Sequence, residues 1–165
     1  MTSLAFTGEQ LANALHSLGI KFIMGGQDED EALHKQPARL IAGLAGSNEA
    51  RLRLSLIPLF LEHPEFSTYV RRSLKMLDAR GRITLQCYYS AAVCLQKKHF
   101  PKAQIKLELP NYFATELMLS SDDPEENLRL LAHRHAELTG THLNWLGTYH
   151  HAEQRWMASR RGGKQ

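Results

Sequence analysis

The residue types that could do chemistry in this 165-residue chain are its nine histidines and two cysteines. Three of the histidines and both tryptophans fall in one stretch, THLNWLGTYHHAEQRW at 141–156. Histidines that hold one metal from one helix stand three or four residues apart, the only spacings that share a face. No pair here does. His133 and His135 are two apart, roughly 200° around a helix, and His150 and His151 are adjacent, roughly 100° apart. No HExxH or CxxC occurs. A site assembled from several helices would use His135, which lies on the stripe Leu128, Leu131, Ala132, His135 and Leu138. The same position suits a histidine at the edge of the core, hydrogen-bonded to a neighbour, and that reading is taken. Cys87 and Cys94 sit seven apart in a helical pattern, about 10 Å along the axis, too far for an intrahelical disulfide. They read as reduced, packed thiols of a cytoplasmic protein. Neither has a histidine within one turn, and no GxSxG is present. No catalytic residue, metal ligand or cofactor is assigned.

The segment LHSLGIKFIMGGQDEDE (15–31) resembles the opening of nucleotidyltransferases. There a helix, a short strand and a glycine turn hold phosphates while paired acids bind magnesium. Asp28 and Asp30 follow Gly26 with no intervening helix, and no later strand supplies a third acid. The segment therefore reads as a glycine turn followed by a solvated acidic loop.

The layout of charge says more. Residues 70–106 hold nine basic side chains against one acid, Asp78, while the whole chain carries only +3. The candidate binding residues are Arg71, Arg72, Lys75, Arg80, Arg82, Lys97 and Lys98, with Tyr88 and Tyr89 between the basic clusters to stack on bases. Such a segment attracts an acidic protein partner or a nucleic acid, and the charge fits the two equally well. The pair of helices at 38–61 fails as a helix-turn-helix, because its second helix is apolar on nearly every side and lacks a polar face for base edges.

These residues have to be positioned by helices. A capping box at Thr7 and Gln10 opens the first, and Gly19 stops it. Pro37 opens a second that ends at Gly46. Residues 48–62 carry the densest apolar stretch and are the expected central helix, kinked at Pro58. Further helices are expected at 65–77, broken by Gly81, then at 83–98 and 111–119. Asp123, Pro124 and Glu126 mark the start of a helix that ends at Gly140. Thr141 is expected to cap the last, which would seal the core with Trp145, Tyr149 and Trp156. The expectation is an all-α, single-domain bundle of about seven helices over 1–160 with a frayed tail at 161–165, and at most a two-strand ribbon pairing 20–24 with 104–108. No apolar run reaches the ~18–20 residues of a membrane span, and the N-terminus lacks a secretory pattern.

Several phrases in order, GSNEARLRLSLIPLFLEHPEF (46–66), YYSAAVCLQKKHF (88–100), LPNYFATELML (109–119) and TGTHLNWLGTY (139–149), resemble a family of uncharacterised bacterial all-helical proteins. Such proteins are often encoded beside nucleotidyltransferase-fold proteins, in the manner of toxin–antitoxin or defence pairs. The resemblance implies a partner rather than a reaction and brings no catalytic residues.

The function expected is thus a non-catalytic, antitoxin-like or accessory binding protein that meets a nucleotidyltransferase-type partner through a basic face. The alternatives are a DNA-binding regulator and a metal-dependent enzyme built on His135 and the cluster of Trp145, Tyr149 and His150.

Overall fold

Thr7 opens the first helix as its residue type predicts. In this computed structural model, which describes residues 6–20, 33, 35–100 and 107–162, its hydroxyl accepts from the Gln10 amide while the Gln10 side chain accepts from Thr7 N–H. The helix, α1 (Gly8–Ser17), ends where Gly19 adopts φ +81°, with the Ile20 amide reaching back to the Leu15 carbonyl. That left-handed turn is cheap only for glycine. Then follow α2 (Pro37–Ala45), α3 (Ala50–Leu54), α4 (Leu56–Glu62), a 3-10 helix (Pro64–Tyr69), α5 (Val70–Leu74), α6 (Ala79–His99), α7 (Pro124–Thr139) and α8 (Trp145–Gly162). Joining the pieces on either side of the breaks at Ser55 and Val70 gives seven helical units among the described residues. The chain is an all-α single-domain bundle, and no helix among the described residues is long and apolar enough to cross a membrane.

Several elements differ from expectation for identifiable reasons. The break near Pro58 falls at Ser55, where the Ser55 hydroxyl donates to the Leu52 carbonyl at 2.5 Å. A proline ring collides with the carbonyl four residues upstream, so the chain turns before the proline, which then sits in the first turn of α4. Gly81 breaks nothing. It is the third residue of α6, and its amide is capped by Asp78 Oδ1 at 2.8 Å. The helix expected at 111–119 is a single turn, with one amide bond of helical register, Leu117 to Phe113, closed by Met118 at φ 58°. Thr141 does not cap the last helix. Residues 141–144 lie outside the helix, and Asn144 Oδ1 accepts from the Gly147 amide at 2.9 Å. Helix α8 continues to Gly162, into the expected tail.

Most of the expected ribbon lies outside the described residues. Its described end, Leu107 and Glu108, is not a strand, because a side chain takes the partner's place. Gln96, buried on α6, donates to the Leu107 carbonyl at 3.0 Å and accepts from the Leu109 amide at 2.8 Å. The amide group of one glutamine thus satisfies backbone that would otherwise need a neighbouring strand.

The central element is α6 rather than 48–62. It packs most extensively on α7 and α4 and also touches α2 and α5. From Thr84 to Gln96 nearly every residue is buried, and Cys87, Ser90, Ala91, Ala92 and Cys94 are small enough to let neighbours approach from all sides. The closing helix α8 docks on α7 and α4, with Tyr149 and Trp156 inward.

Candidate binding cleft and a paired charge network

Among the described residues the expected basic face is not one surface. Arg80 and Lys97 stand on the same helix seventeen residues apart, about 26 Å at 1.5 Å per residue. Helix α6 holds them at opposite ends, and the chain treats the two ends differently.

At the C-terminal end of α6 charge is paired. Lys98 Nζ lies 2.9 Å from Glu125 Oε1 and 2.8 Å from Glu153 Oε2. His99 Nε2 meets the same Glu153 oxygen at 2.5 Å, and His150 Nε2 meets Glu125 Oε2 at 2.7 Å. The five side chains tie α6, α7 and α8 together. Burial by itself would raise both carboxyls. The hydrogen bonds and positive charge of Lys98 outweigh it, with help from His99 at Glu153 and His150 at Glu125, and hold both below the usual carboxylate value. Burial likewise pulls Lys98 down, but its bonds to Glu153 and Glu125 raise it overall. This lysine is spent inside the molecule.

The tyrosines are not available either. Tyr88 is 5% exposed and Tyr89 is fully buried. Tyr89 packs edge-on to Phe60 at 4.8 Å, stacks on Tyr112 at 5.5 Å and donates its hydroxyl to the Pro110 carbonyl at 2.6 Å. Tyr88 lies against His135 and Tyr149. Neither ring offers a face to a base, because α6 is buried around its whole girth where they stand. Arg71 and Arg72 are exposed and lie over the rings of Tyr112 and Tyr69, at 4.9 and 5.9 Å. Arg82 donates through Nε to the Leu74 carbonyl at 3.0 Å. Lys97 is exposed beside a small cavity of 130 Å³ that also touches Asp122.

The remaining two candidates, Lys75 and Arg80, come together with two residues the charge count overlooked. They line one open cleft of about 1470 Å³ with Arg39 of α2 and Arg53 of α3. The walls are the α2–α3 turn and the α5–α6 turn. Arg53 donates to the Ser47 carbonyl at 2.8 Å, and Arg39 donates to Gln36 Oε1 at 2.7 Å while lying over the Phe6 ring. Among the described residues no carboxylate forms an ion pair with any of the four. The two acids on the rim are engaged nearby, Asp78 as the cap of α6 and Glu49 with Arg51 at 3.2 Å. Arg39 and Arg53 escape a sequence reading because they lie outside the 70–106 charge block, and no spacing relates them to Lys75. Only the folding of α2 and α3 against α5 joins them.

Comparison with protein-family models, with curated proteins and with solved structures gave no match.

The groups considered for catalysis have structural occupations. His135 is 1% exposed; burial pushes its pKa down to about 4, so near neutrality it is uncharged. Burial pushes both Cys87 and Cys94 up to about 12, so near neutrality both are protonated thiols rather than nucleophilic thiolates. Among the described residues no group of three or more His, Cys, Asp or Glu is placed to hold a metal ion. His150, considered with the aromatic cluster, is bonded to Glu125, and His151 is exposed.

Proposed function

We propose that this chain is a non-catalytic binding protein that docks an acidic protein partner. The contrast between the two ends of α6 supports this most directly. Where Lys98, His99 and His150 gather, Glu125 and Glu153 are supplied to meet them. Where Arg39, Arg53, Lys75 and Arg80 gather, no described carboxylate pairs with them. Concentrated like charge is unfavourable within one molecule, and a complementary partner relieves it while steering association. The family resemblance over 46–149 adds the expectation of an antitoxin-like or accessory role beside a nucleotidyltransferase-type protein. A DNA-binding role is less well served, since the two tyrosines are buried and the cations line a concavity rather than a ridge that follows phosphates.

Co-expression with the products of the adjacent genes, followed by size-exclusion chromatography, tests the reading. The expected result is a stable complex that weakens as salt rises from about 0.1 M to about 1 M, over which the screening length falls from about 10 Å to about 3 Å. A chain that elutes alone and alters the activity of no neighbour overturns it. Retention of duplex DNA with a steep salt dependence would replace it by the regulator reading.

A further inference from the structure

Resting on that reading, we infer that the cleft between the α2–α3 turn and the α5–α6 turn receives an extended, acidic peptide segment of the partner. The four cations differ in exposure. Lys75 and Arg80 are exposed at the rim, whereas Arg39 and Arg53 are half-buried and held by Gln36 and by the Ser47 carbonyl. A flat acidic surface meets the exposed pair more fully than the half-buried pair. Meeting all four requires a segment that enters the cleft.

Size separates a peptide from a small molecule. Pockets for small ligands and cofactors hold about 300–1,000 Å³ and enclose most of the ligand. This cleft holds about 1470 Å³ and is partly open to solvent. Its three guanidiniums can take carboxylates through two parallel hydrogen bonds, a geometry an ammonium lacks. The lining also contains Phe6, Met76 and Leu77, so apolar side chains between the acids have surface to cover. The segment expected is therefore mixed, with Asp or Glu interspersed among apolar residues. Asp78 and Glu49 at the rim disfavour an occupant that carries acid at every position.

The test is fluorescence anisotropy with the full chain and two labelled probes, an oligoglutamate peptide and a peptide alternating glutamate with leucine, against a duplex oligonucleotide. The alternating peptide is expected to bind most tightly. Arg53→Gln and the double variant Lys75→Gln/Arg80→Gln should each weaken it about tenfold or more. Lys97→Gln, at the other end of α6, should bind as the parent does. Both residues of the double variant are exposed, so it reports on binding even where Arg53→Gln disturbs the α2–α3 turn. Failure of both peptides to bind overturns the inference, as does unchanged binding by the double variant or tighter binding of the duplex. A complex with an adjacent-gene product that survives every cleft substitution removes the cleft and leaves the binding-protein reading standing. Peptide binding at the cleft with no adjacent-gene partner does the reverse.

Discussion

His135 lies flat on Trp145, with ring centroids 3.6 Å apart and planes 13° from parallel. Its Nδ1 is 2.7 Å from the Tyr149 hydroxyl. The histidine that attracted a catalytic reading is thus the joint between α7 and α8. Burial lowers its pKa from 6.5 to about 4, which fixes a sign. Below pH 6.5 the unfolded chain takes up a proton that the folded one refuses. Stability is therefore full above pH 6.5 and falls as the pH drops toward 4, by up to about 3 kcal/mol. Urea denaturation at pH 7 and pH 4.5 should show this loss in the parent and a smaller one in His135→Gln. An equal loss in both would assign the slope to other groups.

The two tryptophans of the last helix are unequal. Trp156 is 2% exposed, its Nε1–H donates to Glu62 at 2.7 Å, and His99 and Phe100 meet it edge-on. Trp145 is half-buried at the first turn, and its Nε1–H is buried with no acceptor among the described residues. Of the three rings expected to seal the core, Tyr149 and Trp156 are buried and Trp145 is only half so. Trp156→Ala should cost about 3–5 kcal/mol. Trp145→Phe keeps a ring against His135 and removes an unpaired donor that costs about 1–3 kcal/mol, so it should stay within about 1 kcal/mol of the parent. Thermal unfolding of the two variants side by side checks the order.

Local chemistry explains why parts of this fold were legible. The capping box at Thr7, the glycine stop at Gly19, Pro37 at the head of α2 and Asp123 before Pro124 each act within four residues, so residue type alone places them. What failed depends on partners distant in sequence. Gln96, eleven to thirteen residues away, replaces a strand for Leu107–Leu109; the start of α8 is a local exception, where Asn144 caps the helix and Thr141 Oγ1 lies 2.8 Å from Thr139 Oγ1. The candidate site suffered most. Its charge count was right, but a linear count cannot see that one long helix parts Arg80 from Lys97, or that Glu125 and Glu153 take Lys98.

Met118 occupies a left-handed conformation, φ 58°, with its side chain 61% exposed. The Leu119 amide bonds the Ala114 carbonyl and the Met118 amide the Thr115 carbonyl, the paired bonds of a helix-type turn closed by a residue that is usually glycine. For a side chain with a Cβ this costs about 1–2 kcal/mol. Met118→Gly should stabilise by about 0.5–1 kcal/mol after glycine's greater unfolded entropy is deducted, raising Tm by about 1–4 °C. A lower Tm would mean that the methionine makes contacts worth more than the strain.

Lys98 and Glu153 define the last expectation. Glu153 is only 8% exposed, and the ammonium shares it with His99 while also holding Glu125. Removing the lysine leaves two carboxylates facing each other across the gap between α7 and α8. The cost therefore exceeds the value of an ordinary surface pair, which is about 0–1 kcal/mol. Lys98→Met should destabilise by about 1–3 kcal/mol, and a double-mutant cycle with Glu153→Gln should recover part of that as a coupling of about 0.5–2 kcal/mol. The pH profile carries its own sign. Both carboxyls are held below their usual value of 4.5, so the stability they confer is present above pH 4.5 and is lost as the pH falls through their lowered folded values. In Lys98→Met that acid limb should flatten, while the His135 limb between pH 6.5 and 4 stays. Since the network lies at the opposite end of α6 from the cleft, the same variant should bind the alternating peptide as the parent does, separating the brace that holds the fold from the surface that meets the partner.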